Sequence, residues 1–209
     1  DKRLTGTKEG CNEGDCGACT VIVTDQSGPR AMNACILFLP QLDGKSVRTV
    51  EGVSGPDGQL HPVQQALVDH HGSQCGFCTP GFVTSMAAAH MQGRQDHDVV
   101  LAGNLCRCTG YAPIIRAAKA AEAMAVPAWM ADPDLSFSQI SPEGSGEAGS
   151  LTGAFRPTTS DALADWYARN TDATLIAGAT DVGLWVTKQL KNLAKVAFLN
   201  GISDLRQIT

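Results

Sequence analysis

Hydrophobic and polar positions change rhythm along the chain. Between Thr20 and Asp25, "TVIVTD" is rich in β-branched residues and predicts a strand. "QSGPR" is turn-like, Arg30 to Asn33 predicts a returning strand, and "KSVRTVEG" predicts a third that ends at Gly52. From Pro62 the period lengthens to that of a helix. Val63, Ala66, Leu67 and His70 share one face, with Pro62 at the first helical position and Gly72 at the C′ stop. Phe82, Val83, Met86 and His90 repeat in the same way, from a Thr79 cap and Pro80 through to Gly93. A short helix is expected over Val99 to Ala102, and a further one starts at Pro113 with Ile114, Ala117, Ala118 and Ala121 on one face. Four Ala-rich helices of this length predict an antiparallel bundle with close contacts.

Past residue 127 the periodicity lapses. "PAWMADPDLSFSQISPEGSGEAGS" is dominated by Pro, Gly, Ser and Asp and predicts a linker over the surface, residues 127–150. A new unit begins at "FRPTTSDALADWYARN", where Thr159 or Ser160 can cap a helix carrying Leu163, Trp166 and Tyr167. "ATLIAGATDVGLWVTKQ" predicts an apolar strand, a loop from Gly178 to Gly183, and a helix; "KVAFLNGISDLRQIT" adds a strand and a turn. A lone glycine loop is most often a βα connection, although its amides can hold a diphosphate.

Composition narrows the classes. The 209 residues suit one or two folded units, and 43% hydrophobic content suits a globular chain whose few aromatics (5%) leave small residues to fill the core. Sixteen basic against 21 acidic side chains give a net charge of −5, which offers no basic patch for nucleic acid. No apolar run reaches the roughly 18 residues that span a bilayer, so no membrane partner is expected. No signal peptide is visible, although the first residue is not Met, and a cytoplasmic location is expected.

Eight cysteines carry the candidate chemistry. They form two quartets, Cys11, Cys16, Cys19, Cys35 and then Cys75, Cys78, Cys106, Cys108, and none follows. Disulfides are the less favoured reading, because the thiols cluster in half the chain at local spacings. Zinc and iron are both served by thiolates. "GCNEGDCGACTVIV" decides the first quartet: C-x4-C-x2-C with a distant fourth Cys is the plant-type [2Fe-2S] order. Gly10, Gly14 and Gly17 would let the loop bring its amides close to sulfur. In the second quartet each Cys pair precedes an expected helix start, so unpaired amides and the positive dipole end would face an anionic centre. A C-x2-C and a C-x-C can each serve one iron of a binuclear cluster, and spacing alone does not separate that from a single zinc. His61, His70, His71, His90 and His97 are expected on surfaces or helix faces rather than as ligands, because both quartets are complete without them. No residue is assigned as acid, base or nucleophile.

"SQCGFCTPGF" together with "GNLCRCTGYAPI" resembles the helical [2Fe-2S] domain of the molybdenum hydroxylases, the family of the xanthine dehydrogenases and aldehyde oxidases. "TGTKEGCNEGDCGACTV" and the "NAC" around Cys35 resemble that family's plant-type domain, in the same order, so the likeness covers residues 4 to about 125. It implies that the second cluster lies nearer a molybdenum cofactor on a partner large subunit, and that Gln74 contacts the pterin of that cofactor. Leu175, Ile176, Ala177, Gly178, Ala179, Thr180, Asp181 and Val182 resemble the loop that binds the flavin diphosphate in the family's FAD domain. That domain is much longer than the residues after 151, so the chain is expected to be an internal fragment, and its sequence does not decide whether FAD is retained.

The expected fold is therefore α+β and multidomain. A ferredoxin-like β-grasp domain lacking its first strands spans 1–52, a four-helix [2Fe-2S] domain 53–126, the linker 127–150, and the start of an α+β FAD-binding domain 151–209. The resemblance implies electron transfer from the molybdenum cofactor through two [2Fe-2S] clusters to FAD and NAD, in hydroxylation of hypoxanthine or xanthine. Two alternatives stay open: the iron–sulfur component of a molybdenum hydroxylase acting on aldehydes, carbon monoxide or N-heterocycles, and a zinc-binding scaffold without redox chemistry.

Overall fold

The computed structural model describes residues 3–132 and 154–207. The chain divides into two compact units, Asp1–Cys35 with Gly44–Phe137, and Ile36–Asp43 with Ser138–Thr209. No described helix is long and apolar enough to cross a membrane.

The first unit opens with a three-stranded antiparallel sheet in the order β2-β1-β3. β1 is Thr20–Asp25, β2 Gly28–Asn33 and β3 Ser46–Arg48. Ile22 sits opposite Ala31 on one side and Arg48 on the other. The third strand is shorter than its sequence predicts, because Val50–Gly52 tightens into a 3-10 turn. Four helices follow, α1 (Pro62–Asp69), α2 (Thr79–Met91), α3 (His97–Val100) and α4 (Ala112–Ala121).

α2 buries nine consecutive residues from Gly81 to Ala89, as a helix with neighbours on every side must. One face meets β1, where the Thr84 hydroxyl donates to the Thr20 carbonyl at 3.0 Å. Ile22, Val53, Phe82, Met86, Ile114, Ala117 and Met130 belong to one buried cluster, so sheet and helices share a core. Ala87 and Ala117 are fully buried; small side chains let the helices approach closely.

Several helix ends differ from their sequence expectation. The Gly72 amide donates to the Leu67 carbonyl (2.8 Å) and the His71 amide to Val68 (3.2 Å), with His71 in the left-handed region at φ 54°. His71 therefore takes the C′ position and Gly72 the next one, where a Cβ would lie 2.4 Å from Leu67 Cδ2. A side chain at Gly72 would have to displace the Leu67 methyl, while the left-handed dihedral belongs to His71. At the start of α2 the N-cap is Cys78, one residue before Thr79, and α3 begins at His97, two residues early.

The stretch expected to be surface linker begins by packing. Ala128–Met130 forms a 3-10 turn, Met130 is fully buried, and the Trp129 indole donates to the Val53 carbonyl at 3.1 Å. Arg48 holds the turn in place, donating to the carbonyls of Gly52 (2.9 Å) and Met130 (3.2 Å) and to the Asp132 carboxylate (2.8 Å). The rest of the expected linker, 133–150, lies outside the described residues. Arg48→Ala is expected to cost about 2 kcal/mol in urea denaturation, because two carbonyls and a carboxylate lose a shared donor. A loss below about 0.5 kcal/mol would show that water replaces the guanidinium at no cost.

The second unit carries a parallel sheet in the order β4-β6-β5, made of Ala154–Phe155, Val196–Phe198 and Thr174–Ile176. β4, two residues long, has no signal in the sequence. α5 (Ser160–Tyr167) is capped by Thr159, whose hydroxyl accepts from the Ala162 amide at 3.2 Å. α6 (Val182–Thr187) follows the loop after β5. Ile176 and Phe198 are buried, and Phe38 from the early segment meets Phe198 edge-on at 5.9 Å between centroids.

Candidate functional site

The eight cysteines gather as four pairs. In the first loop, the Cys11 amide donates to Cys16 Sγ and the Cys16 amide to Cys11 Sγ, both at 3.3 Å. Gly10 permits this, since a Cβ there would lie 2.8 Å from Cys16 Sγ. Cys35 is within hydrogen-bonding reach of Cys19, which is buried at the entrance to β1. Burial pushes the Cys35 thiol up to about 12, with Cys19 adding to the effect. The Asn33 amide group donates to the Gly14 carbonyl and ties the end of β2 to the loop.

The second quartet pairs across its two segments. Cys75 lies against Cys108, and Cys78 against Cys106. The closest thiol contacts thus run between the C-x2-C and C-x-C segments rather than within them. Each segment turns one thiol inward and one outward: Cys106 is buried and Cys78 packs on the core, while Cys75 and Cys108 are exposed. Burial, then the neighbouring Cys106, raises the Cys78 thiol to about 12, whereas the Phe77 amide lowers Cys75. The four thiols border a hollow of about 400 Å³ with Phe77, Leu105, Arg107 and Tyr111.

Local bonds hold that hollow open. Tyr111, at φ 68°, precedes α4; its hydroxyl accepts from the Cys106 amide at 3.0 Å, and its own amide donates to Thr109 Oγ1 at 3.2 Å. The Thr109 hydroxyl also contacts Cys106 Sγ at 3.2 Å. Neither Thr109 nor Tyr111 stood out in the sequence, because nothing in "CTGY" announces that the chain folds back onto its own cysteine.

Among the described residues, no three His, Cys, Asp or Glu converge where one ion would sit. A mononuclear zinc needs four donors around one centre at about 2.3 Å for sulfur. A quartet of thiols also suits two bridged irons, and in the first loop amides are directed at sulfur. Gln74 is exposed, one residue before Cys75.

The two quartets are joined directly. The Leu105 amide, next to Cys106, donates to the Cys16 carbonyl at 2.9 Å. Around that bond the backbone leaves no room: a Cβ on Gly17 would lie 2.3 Å from the Gly103 carbonyl oxygen, and one on Gly81 would lie 2.1 Å from that of Gly17.

Two histidines expected on surfaces or helix faces are buried. His61 is the N-cap of α1, its Nδ1 accepting from the Val63 amide at 3.2 Å, and its ring meets His90 edge-on at 5.2 Å. His97 is buried beside Glu122 at 2.7 Å. Helical periodicity reports which face a residue lies on, not whether another element covers it.

In the second unit, residues 175–182 leave the carboxyl end of β5 and enter α6. Ile176 and Ala179 point into the core, while Ala177, Gly178, Thr180 and Asp181 are exposed. The Gln41 side chain donates to the Ala177 carbonyl at 3.4 Å. A loop at the carboxyl end of a parallel strand with exposed backbone is the usual place for a nucleotide's phosphates.

Comparison with known proteins places both units. Residues 49–119 match the family described as "[2Fe-2S] binding domain", and residues 149–209 match "FAD binding domain in molybdopterin dehydrogenase". Xanthine dehydrogenase of Drosophila pseudoobscura pseudoobscura is 48% identical over 127 residues, 56% of this chain and 10% of the relative. Aldehyde oxidase 1 of Cavia porcellus is 50% identical over 127 residues, with the same coverages. The chain thus spans about a tenth of the length of these curated relatives. In the crystal structure of quinoline 2-oxidoreductase from Pseudomonas putida 86, a chain 39% identical superposes with a TM-score of 0.50, covering 57% of this chain and 75% of that one. With tandem cysteine quartets, an α+β fold and relatives all of this kind, the chain belongs to the molybdenum hydroxylases and corresponds to part of their iron–sulfur and FAD region.

Proposed function

We propose that this chain is the electron-transfer part of a xanthine dehydrogenase, conducting electrons from a molybdenum cofactor on a partner subunit through two [2Fe-2S] clusters to FAD and NAD. The observation that carries the reading is the pairing of eight thiols into two quartets joined by the Cys16–Leu105 hydrogen bond. Clusters held there would supply reversible one-electron storage. Cys11, Cys16, Cys19 and Cys35 would hold one, and Cys75, Cys78, Cys106 and Cys108 the other. The chain's own work is to position and shield: amides of the first loop face sulfur, and the core covers Cys19 and Cys106. Gln74, exposed beside the second quartet, would meet the partner's pterin. The backbone of residues 175–182 would take the flavin diphosphate.

Relatives named for xanthine, aldehydes and quinoline are 48%, 50% and 39% identical over their matched stretches, so these residues do not select the substrate. Xanthine is preferred because the iron–sulfur and FAD units occur together in one chain, in the order of xanthine dehydrogenase small subunits. An aldehyde or N-heterocycle hydroxylase is the alternative.

Iron and acid-labile sulfide analysis tests the cluster reading. About four irons and four sulfides per chain are expected from two binuclear clusters; zinc without sulfide would refute it. Cys106→Ser should remove one of two reduced [2Fe-2S] electron paramagnetic resonance signals and leave the other. If both persist unchanged, Cys106 is no ligand.

A further inference from the structure

Asn104 precedes the Leu105–Cys106 segment and is 3% exposed, yet every polar atom of its side chain is engaged. Its Nδ2 donates to the Gly17 carbonyl at 3.1 Å and to Thr20 Oγ1 at 3.3 Å. Its Oδ1 accepts from the Ser85 hydroxyl at 2.7 Å. Those partners lie on three separate pieces of chain: the loop after Cys16, the first residue of β1 just after Cys19, and the interior of α2, whose N-cap is Cys78. The Gly17 carbonyl also receives the Thr20 hydroxyl at 2.6 Å. One amide side chain is therefore the point at which the ligand segments of both quartets meet.

A buried amide that satisfies three partners is rigid, because letting go of any of them leaves an unpaired polar group away from water. Its neighbours in sequence inherit that rigidity. The Leu105 amide is one bond further along the backbone, and its bond to the Cys16 carbonyl runs directly from the residue beside Cys106 to a first-quartet cysteine.

We propose that Asn104 is a positioning residue that fixes the spacing, and hence the electronic coupling, of the two cluster sites by locking the Cys16 carbonyl–Leu105 amide bond. This rests on the cluster reading above. The residue touches no proposed ligand atom; it acts through Gly17 and Leu105. Coupling between two redox centres falls steeply with separation and with each through-space gap, so a small displacement at this joint changes the coupling while leaving both sets of thiols in place.

The test uses the full chain with both clusters reconstituted. Fully reduced wild type is expected to show two [2Fe-2S] signals, each split by the other spin. In Asn104→Leu, which keeps the volume and deletes the three bonds, iron and sulfide stay the same while the splitting shrinks or vanishes. Ser85→Ala, a milder variant that loosens only Oδ1, covers the case in which Asn104→Leu does not fold. It should reduce the splitting in part and raise hydrogen exchange of the Leu105 amide by about tenfold, the factor expected from losing roughly one buried hydrogen bond. Unchanged splitting and unchanged exchange in Ser85→Ala overturn the proposal. Wild type without iron and sulfide overturns the cluster reading, and this inference with it.

Discussion

Gly81→Ala is expected to be among the most damaging single-methyl additions in the chain, with a loss of about 3 kcal/mol in denaturant unfolding. The new Cβ would lie 2.1 Å from the Gly17 carbonyl oxygen, 3.1 Å from its carbon and 3.0 Å from Asn104 Nδ2. Backbone stands against backbone, so no rotamer change relieves the overlap. α2 would have to move away from the first loop, breaking contacts that Thr84 and Thr20 make across the same seam. Alanine gains about 1 kcal/mol of helix propensity over glycine, which offsets only part of the loss. Gly103→Ala is the control: its Cβ would meet nothing within 4 Å, and little change is expected. Equal stabilities for the two variants would show that the seam is looser than described.

Acid should weaken the fold through His61. Burial holds this imidazole down to about 4, from an ordinary 6.5, with His90 and Arg48 adding repulsion. Its Nδ1 is occupied as a cap acceptor, and its Nε2 has no hydrogen-bond partner among the described residues. As pH falls below 6.5 the unfolded chain takes up a proton that the folded one refuses, so stability is complete above 6.5 and declines until about 4. The decline is on the order of 3 kcal/mol. Urea midpoints measured from pH 7 to pH 4.5 should drop accordingly. His61→Asn, which keeps a capping oxygen and loses the ring, should flatten the profile over that window. A His61→Asn profile as steep as wild type would assign the acid sensitivity to other groups.

Local order was largely legible in the chain itself. "TVIVTD" forms β1 over the residues its β-branched run marks, and Gly93, at φ 65°, ends α2 where the sequence places the stop. Propensity and capping act over a few residues, so these signals survive without tertiary context. The same locality explains the misses. The helix after Asp96 starts two residues early, where buried His97 meets Glu122 from beyond α4. "ILFLPQLD", Ile36–Asp43, carries no mark that it joins the C-terminal unit through Phe38 and Gln41, whose partners lie more than 130 positions away.

By itself the sequence determined the eight thiols, their grouping into two quartets and the order of the units, because spacing of soft donors and hydrophobic period are properties of neighbouring residues. Only the tertiary structure decided that Cys75 pairs with Cys108 and Cys78 with Cys106, that a 3-10 turn and Arg48 close the first unit, and that Asn104 joins the cysteine loops. Those facts depend on which side chains face inward when distant segments meet, and burial is set by what covers a residue rather than by what precedes it.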